Sequence, residues 1–331
     1  MVVCIEMNNH DDASARCCDE CGKEGGVSLK ACKSCMQVKY CNAKCQKNHW
    51  PKHKIECKRR AAELQDEKLF KNPPPKEDCP ICFLPMPDTL ICCKSLPPAT
   101  ISSVPIYDFA NEHEELARKA AEVYYECCGK SICRGCSYSC DMSRNEDRCP
   151  FCNSDRGSKT DEERVGELMK RVDVNDAGAI WVLANYYDRG DHGLQQDQAK
   201  AIELYARAGE LGSSMAHFNL GACYHAGGDS KKEKFHYEAA AMAGDEVARY
   251  NLGCAENKSG NTERAVKHWM IATSTGDYNA MQCMIELFTQ GMVSRDAIDS
   301  TLIAYNNSCA EMRSEARDAY IRLLIDRFDE N

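Results

Sequence analysis

The sequence predicts two small metal-stabilised domains followed by an all-α helical solenoid. Three observations carry that prediction. Of 24 cysteines, twenty lie between Cys4 and Cys152, and only Cys223, Cys254, Cys283 and Cys309 follow. The early cysteines fall largely into closely spaced pairs. From about Asp161 onward cysteine thins out and alanine-rich helical patterning repeats itself. A chain of 331 residues accommodates two or three domains of this kind.

Metal is preferred to disulfides on redox grounds. Residues 1–10 lack a charged head followed by an apolar stretch, so no export signal is expected. No run of about 18 apolar residues offers a membrane span. Thiols in a reducing compartment, cytosol or nucleus, bind metal more readily than they form disulfides. The net charge is −9, yet Lys30 to Arg60 carries ten Lys or Arg and one acid, Glu56. The remainder is therefore acidic, which argues against a surface that tracks nucleic acid throughout. Lys58, Arg59 and Arg60 form the one short basic run of note.

In chain order, residues 1–16 are polar and expected to be disordered. Residues 17–60 hold the first cysteine cluster: Cys18-x2-Cys21, Cys32-x2-Cys35, Cys41-x3-Cys45 and His53-x3-Cys57. Zinc takes four thiolate or imidazole ligands at tetrahedral corners. A two-residue gap lets one tight turn aim both sulfurs at one ion, and a three-residue gap puts both ligands on one helix face. Seven cysteines and one histidine thus complete two sites. The pattern, with Gln46 and Trp50 ahead of His53, resembles a MYND zinc finger over residues 18–57. That resemblance implies interleaved binding, with Cys18, Cys21, Cys41 and Cys45 on one ion and Cys32, Cys35, His53 and Cys57 on the other. Cys17 is an alternative to Cys18, and His49 is read as a solvent-facing neighbour rather than a ligand. The resemblance further implies a proline-containing peptide as partner, with Gln46 and Trp50 at the contact positions. Trp50 is equally readable as a packed structural tryptophan. Lys44, Lys47, Lys52 and Lys54 are a solvated face or, as a minority reading, phosphate contacts.

Residues 61–78 are read as a short charged helix and a linker stiffened by Pro73, Pro74 and Pro75. The second cluster spans residues 79–153. Cys79-Pro-Ile-Cys82 opens it, Cys149-Pro-Phe-Cys152 closes it, and Cys127, Cys128, Cys133 and Cys136 lie between. The arrangement resembles a RING-type finger, which implies cross-bracing. Cys79, Cys82, Cys133 and Cys136 then share one ion, and Cys149 and Cys152 share the other with Cys127 and Cys128. Lys130 stands where many such fingers place a histidine. The long insertion, residues 83–126, contains Cys92, Cys93 and His113 as alternative ligands, and Cys140 is another. Residues 112–123 within it have helical composition. The resemblance implies a ubiquitin-conjugating enzyme as a possible partner, docking at Ile81 and Pro150, whose plain role is to fill the small core. Asn153 departs from the Arg or Lys that active ligases often carry there.

After a linker, residues 154–172, helical repeats are expected over 173–328. Ala216, Ala248 and Ala280 recur every 32 residues, and Ala179 precedes Ala216 by 37. Leu183, Leu220, Leu252 and Met284 each follow their alanine by four. Tyr205, Tyr237 and Trp269 each precede a glycine, Gly212, Gly244 or Gly276, by seven. Small residues let paired helices approach, and each glycine ends the second helix in left-handed conformation. The run RGDHGLQQDQAKAIELYARAGELG, starting at Arg189, resembles a Sel1-like repeat, a relative of the tetratricopeptide repeat. That resemblance implies a concave face for a protein ligand.

Enzymatic readings fail on pattern. His113-Glu114-Glu115 is superficially like a zinc-deaminase motif, but the proline of the partner pair lies inside it, at Pro150. No phosphate-binding glycine loop occurs. All sixteen ligands, on four zinc ions, would be structural. The expected function is a zinc-dependent protein-interaction adaptor. A RING-type ubiquitin ligase recruiting substrate through the MYND finger or the repeats is the alternative, and a transcriptional or nucleic-acid-associated regulator is the weaker one.

Overall fold

The computed structural model describes residues 18–22, 29–86, 122–145 and 147–329. Residues 1–16, Cys17, Cys92, Cys93, His113 and most of the helix expected over 112–123 lie outside them. The chain divides into two units, Met1–Lys71 and Asn72–Asn331.

In the first unit, β1 (Lys30–Ala31) pairs antiparallel with β2 (Lys39–Tyr40), and α1 (Ala43–Leu69) follows. The Asn42 side chain caps α1 by accepting from the Cys45 N–H at 2.9 Å. The helix runs unbroken past residue 60, so the charged helix expected after that point is its continuation. Glu56, Arg59, Arg60, Glu63 and Glu67 form ion pairs along it. Being exposed, such pairs contribute little to stability. Gln46, His53, Cys57 and Leu69 are its buried residues. The core of this unit is Cys18, Cys32, Cys35, Tyr40 and Cys57, so it contains almost no hydrocarbon.

In the second unit a short bridge, Asp78 with Pro85, precedes a hairpin of β3 (Glu122–Tyr125) against β4 (Lys130–Cys133), in the register Glu122 opposite Cys133. Helix α2 (Arg134–Cys140) and a π-helical turn (Asp141–Asn145) follow. Glu122 and Val123 are strand and not helix. Pairing with β4 and burial of Tyr125 override local helical composition.

Ten further helices complete the chain: α3 (Asp161–Asp173), α4 (Ala177–Arg189), α5 (Gln198–Glu210), α6 (Ser214–Ala226), α7 (Ser230–Met242), α8 (Glu246–Lys258), α9 (Thr262–Ser274), α10 (Tyr278–Thr289), α11 (Arg295–Met312) and α12 (Glu315–Asp329). Helix α3 occupies most of the segment read as linker. Its start signal is a capping box, Thr160 with Glu163. The closest packing joins α4 to α5, α6 to α7 and α8 to α9, and each pair then stacks on the next. Gly212, Gly244 and Gly276 have φ of 95°, 104° and 97°. Each is followed by Ser213, Asp245 or Asp277, whose side chain caps the next helix. One dipeptide therefore stops one helix and starts another.

Ala179, Ala216, Ala248 and Ala280 are completely buried. Gly221 lies under the Tyr237 ring, where an added Cβ would meet Cδ1 at 2.5 Å, and Gly253 lies equally close under Trp269. The interior is not wholly apolar, since Glu246, Arg249, Glu256, His268 and Thr273 are buried. Lys76 reaches Glu246 at 2.5 Å, and Pro74 packs beside Gly244, so the proline-rich segment lies along the repeats. No helix among the described residues is long and apolar enough to cross a membrane.

Gly253→Ala is expected to lower solenoid stability by about 1–3 kcal/mol through overpacking against Trp269, read as a lower thermal midpoint. Burial, aided by Arg249 and Arg264, pushes His268 down to about 3, against about 6.5 in the unfolded chain. Its neutral burial is therefore without penalty above about pH 6.5, and stability falls as the pH drops from there towards 3. Unfolding series at several pH values should show a shallower loss in His268→Gln.

Candidate metal centres

Four Cys-x2-Cys segments adopt one and the same turn. The N–H of the residue after the second cysteine donates to the carbonyl of the first: Gly22 to Cys18 (2.8 Å), Met36 to Cys32 (2.9 Å), Phe83 to Cys79 (2.8 Å) and Asn153 to Cys149 (2.9 Å). All four donors are left-handed, with φ of 65°, 58°, 55° and 57°. Glycine and asparagine tolerate that conformation, whereas methionine and phenylalanine are strained there. The turn aims both sulfurs of a pair to one side.

The structure brings the sixteen proposed side chains together in four groups of four. They are Cys18, Cys21, Cys41, Cys45; Cys32, Cys35, His53, Cys57; Cys79, Cys82, Cys133, Cys136; and Cys127, Cys128, Cys149, Cys152. Ligand atoms within each group lie within 4.8 Å of one another. The edges of these groups include 3.6 Å for Cys21–Cys41, Cys41–Cys45 and Cys32–Cys57, and 3.2 Å from Cys35 Sγ to His53 Nε2. In the second finger Cys82–Cys133 is 3.9 Å, Cys128–Cys149 is 3.7 Å and Cys127–Cys152 is 3.5 Å. A zinc tetrahedron with bonds of about 2.3 Å has sulfur–sulfur edges of about 3.8 Å, so the donor sets fit an ion. A disulfide needs about 2.05 Å, and all these cysteines are free.

Each group also contains a thiol that the backbone or a hydroxyl prepares for ionisation. Burial alone would raise Cys18, but N–H groups of Cys21, Cys41 and Glu20 outweigh it and bring it down to about 6. The same balance lowers Cys32, and it brings Cys79 to about 7 through N–H groups of Cys133, Cys82 and Ile81. Ser154, 3.2 Å away, lowers Cys152 to about 6. Burial, with His49 adding, pushes His53 below its usual value and keeps the imidazole neutral, as a ligand must be.

The elements explain the sorting. Helix α1 carries Cys45 at its first turn, and His53 and Cys57 on one face. Cys133 ends β4 and caps α2 by accepting from the Cys136 N–H at 3.5 Å. Cys127 and Cys128 sit in the β3–β4 turn, closed by Gly129 N–H to Tyr125 O at 2.8 Å, and there two adjacent sulfurs enter the same group. Cys140 is half-buried and belongs to none of the four. Lys130 is exposed and rests over the Phe151 ring.

A protein-family model, MYND finger, matches residues 18–57. This segment is a MYND finger. A MYND finger binds zinc, and two of the four groups, alternating along the chain, lie within it and could hold the ions. Sequence relatives share the stretch at high identity. Human histone-lysine N-methyltransferase SMYD3 is 56% identical over 43 residues, covering 12% of this chain and 9% of that protein. Arabidopsis thaliana ASHR1, also named a histone-lysine N-methyltransferase, is 32% identical over 71 residues, 22% and 14% of the two chains. Xenopus laevis SMYD2-A, an N-lysine methyltransferase, is 52% identical over 54 residues, 16% and 10%. The chain therefore spans only about a tenth of these relatives. Among solved structures, a Sel1 repeat protein from Oxalobacter formigenes is similar at 24% identity and TM-score 0.40, covering 46% of this chain and 64% of that one. The Escherichia coli antigen c5321 gives 22% and 0.38, over 53% and 42%.

Around the MYND finger, two expectations change. His49 is not solvent-facing: it is half-buried, 2.9 Å from the Tyr40 hydroxyl, and stacks on His53. Gln46 is buried, at 8% exposure, whereas Trp50 is 36% exposed and touches His53 by an edge. Ile81, at 37%, and Pro150 are both accessible. Sequence reading missed Arg317, whose guanidinium reaches Cys133 and Cys82 across more than 180 residues of chain. No local signal could have found it.

Removing metal with a strong chelator is expected to collapse both fingers. Helices α4 to α10 pack mainly on side chains of their own, so most far-UV helical signal should survive. Hydrogen exchange resolved by segment checks this, and retained protection around β1, β2 and the β3–β4 hairpin would contradict it.

Proposed function

We propose that the chain is a zinc-dependent protein-interaction scaffold in which four structural zinc ions hold a MYND finger and a RING-type finger, and Sel1-like repeats offer a second binding face. The observation that supports this best is saturation. Every group supplies four protein ligands, whereas a catalytic zinc keeps a position open for water or substrate. The two fingers lack an apolar core that could fold them without metal.

At the MYND finger a proline-containing peptide is the proposed ligand. Exposed Trp50 provides the flat apolar contact, and Gln46 is better placed to support the finger from inside. The likeness to methyltransferases is confined to about a tenth of their length, so it favours a shared recognition module and not a shared reaction. Nucleic-acid binding finds little support in the acidic remainder of the chain. For the RING-type finger, Ile81 and Pro150 are accessible to a ubiquitin-conjugating enzyme. At the position where ligases often carry a cation, however, the left-handed backbone of Asn153 suits asparagine.

Native mass spectrometry is expected to find four zinc ions per chain, and about three in Cys128→Ser. Trp50→Ala should weaken binding of proline-rich peptides by about tenfold or more at unchanged zinc content. Autoubiquitination across a panel of conjugating enzymes should be absent. Activity that Ile81→Ala abolishes would replace the scaffold reading with the ligase one.

A further inference from the structure

Arg317 is 5% exposed and projects from the first turn of α12 into the second finger. Its Nε donates to Cys133 Sγ at 3.3 Å, and Nη2 donates to Leu84 O at 3.3 Å and to Cys82 Sγ at 3.6 Å. Nη1 donates to Met312 O at 2.7 Å. Among the described residues no Asp or Glu pairs with it. A buried guanidinium without a counter-ion is costly, and neutral thiols would not offset that cost. Four thiolates around one divalent cation carry a net charge of −2, and that supplies the missing anion. Hydrogen bonds to ligating sulfur also withdraw charge from it and hold its orientation.

We propose that Arg317 is the counter-charge of the centre formed by Cys79, Cys82, Cys133 and Cys136, and that its seating there couples metal retention to docking of the last helix. This rests on zinc occupying that centre, as argued above. Two more contacts fix the helix in place. Gly135 of α2 lies against the Arg317 backbone, where an added Cβ would stand 2.6 Å from N and Cα, so only glycine permits the approach. One turn further along each helix, Tyr138 meets Tyr320 with ring centroids 5.7 Å apart. On its other side the same finger holds the start of the repeats. Tyr124 donates to Asp176 at 2.8 Å, and Tyr186 donates to Glu126 at 3.1 Å. The second finger thus fastens both α4 and α12, and the metal centre beside Arg317 is the clasp between them.

The test uses the full chain loaded with zinc, with Arg317→Met removing the charge, Arg317→Lys keeping it, and Tyr320→Ala removing only the ring contact with Tyr138. Zinc loss to a chromogenic chelator should be about tenfold faster for one ion in Arg317→Met, intermediate in Arg317→Lys, and unchanged for the two MYND ions. In cobalt-substituted protein, Arg317→Met should move part of the thiolate-to-metal charge-transfer absorption to lower energy, whereas Tyr320→Ala should not. Metal removal should also raise hydrogen exchange in α12. Wild-type zinc release and an unshifted cobalt spectrum in Arg317→Met would overturn the counter-charge. Unchanged α12 exchange after metal removal would overturn the coupling. Wild-type protein without metal in the second finger would instead sink the zinc reading on which the inference rests.

Discussion

Four thiolate-rich cages have to close before either finger has an inside. In the first finger the buried residues are mostly cysteines, and in the second they are cysteines with Tyr125 and Ile132. Without a cation those interiors would be clusters of mutually repelling thiolates or poorly packed thiols. The turn repeated after four of the five Cys-x2-Cys pairs follows from this demand, while the fifth, Cys133 and Cys136, opens α2. The turn forces residues 22, 36, 83 and 153 into left-handed backbone whatever side chain the sequence supplies. The strain at Met36 and Phe83 is tolerated because ligand geometry is the stronger constraint.

The repeats obey a different rule. Their helices are of nearly uniform length, and the Gly-Ser or Gly-Asp step between pairs ends one and caps the next. Buried alanines and glycines set the spacing, and Tyr237 and Trp269 fill the space that the glycines leave. Stability there comes from packing between neighbouring units and needs no ion. The buried His268 and Arg249 add a polar interior, which makes this part of the chain sensitive to acid.

These two regimes meet in the second finger. It shares hydrogen bonds with α4 at one side and with α12 at the other, so an element built around two cysteine groups touches both ends of the repeats. The relative placement of the repeat ends therefore depends on contacts made by this element. The MYND finger presents a different resource, an exposed tryptophan beside the buried His53.

Ligand spacing and repeat period were legible in the sequence because both are local. A Cys-x2-Cys pair aims two sulfurs at one point through a single turn, and a glycine seven residues after an aromatic marks the end of one helix. Cys127 with Cys128 was preferred only through the likeness to a RING-type finger, and it is the β3–β4 turn that brings the two sulfurs into one group. Helix α3 went unread because its segment resembled a linker, although its capping box, Thr160 with Glu163, is a local signal. What the tertiary structure alone decided was burial and long-range partnership. Glu122 and Val123 became strand through pairing with β4, Gln46 turned inward, and His49 found Tyr40. Arg317 lies 184 residues from Cys133, and its role emerges only when the folded chain brings an otherwise uncompensated cation against sulfur. Spacing along a chain encodes which groups can converge locally, and only packing in three dimensions determines which distant charge must neutralise them.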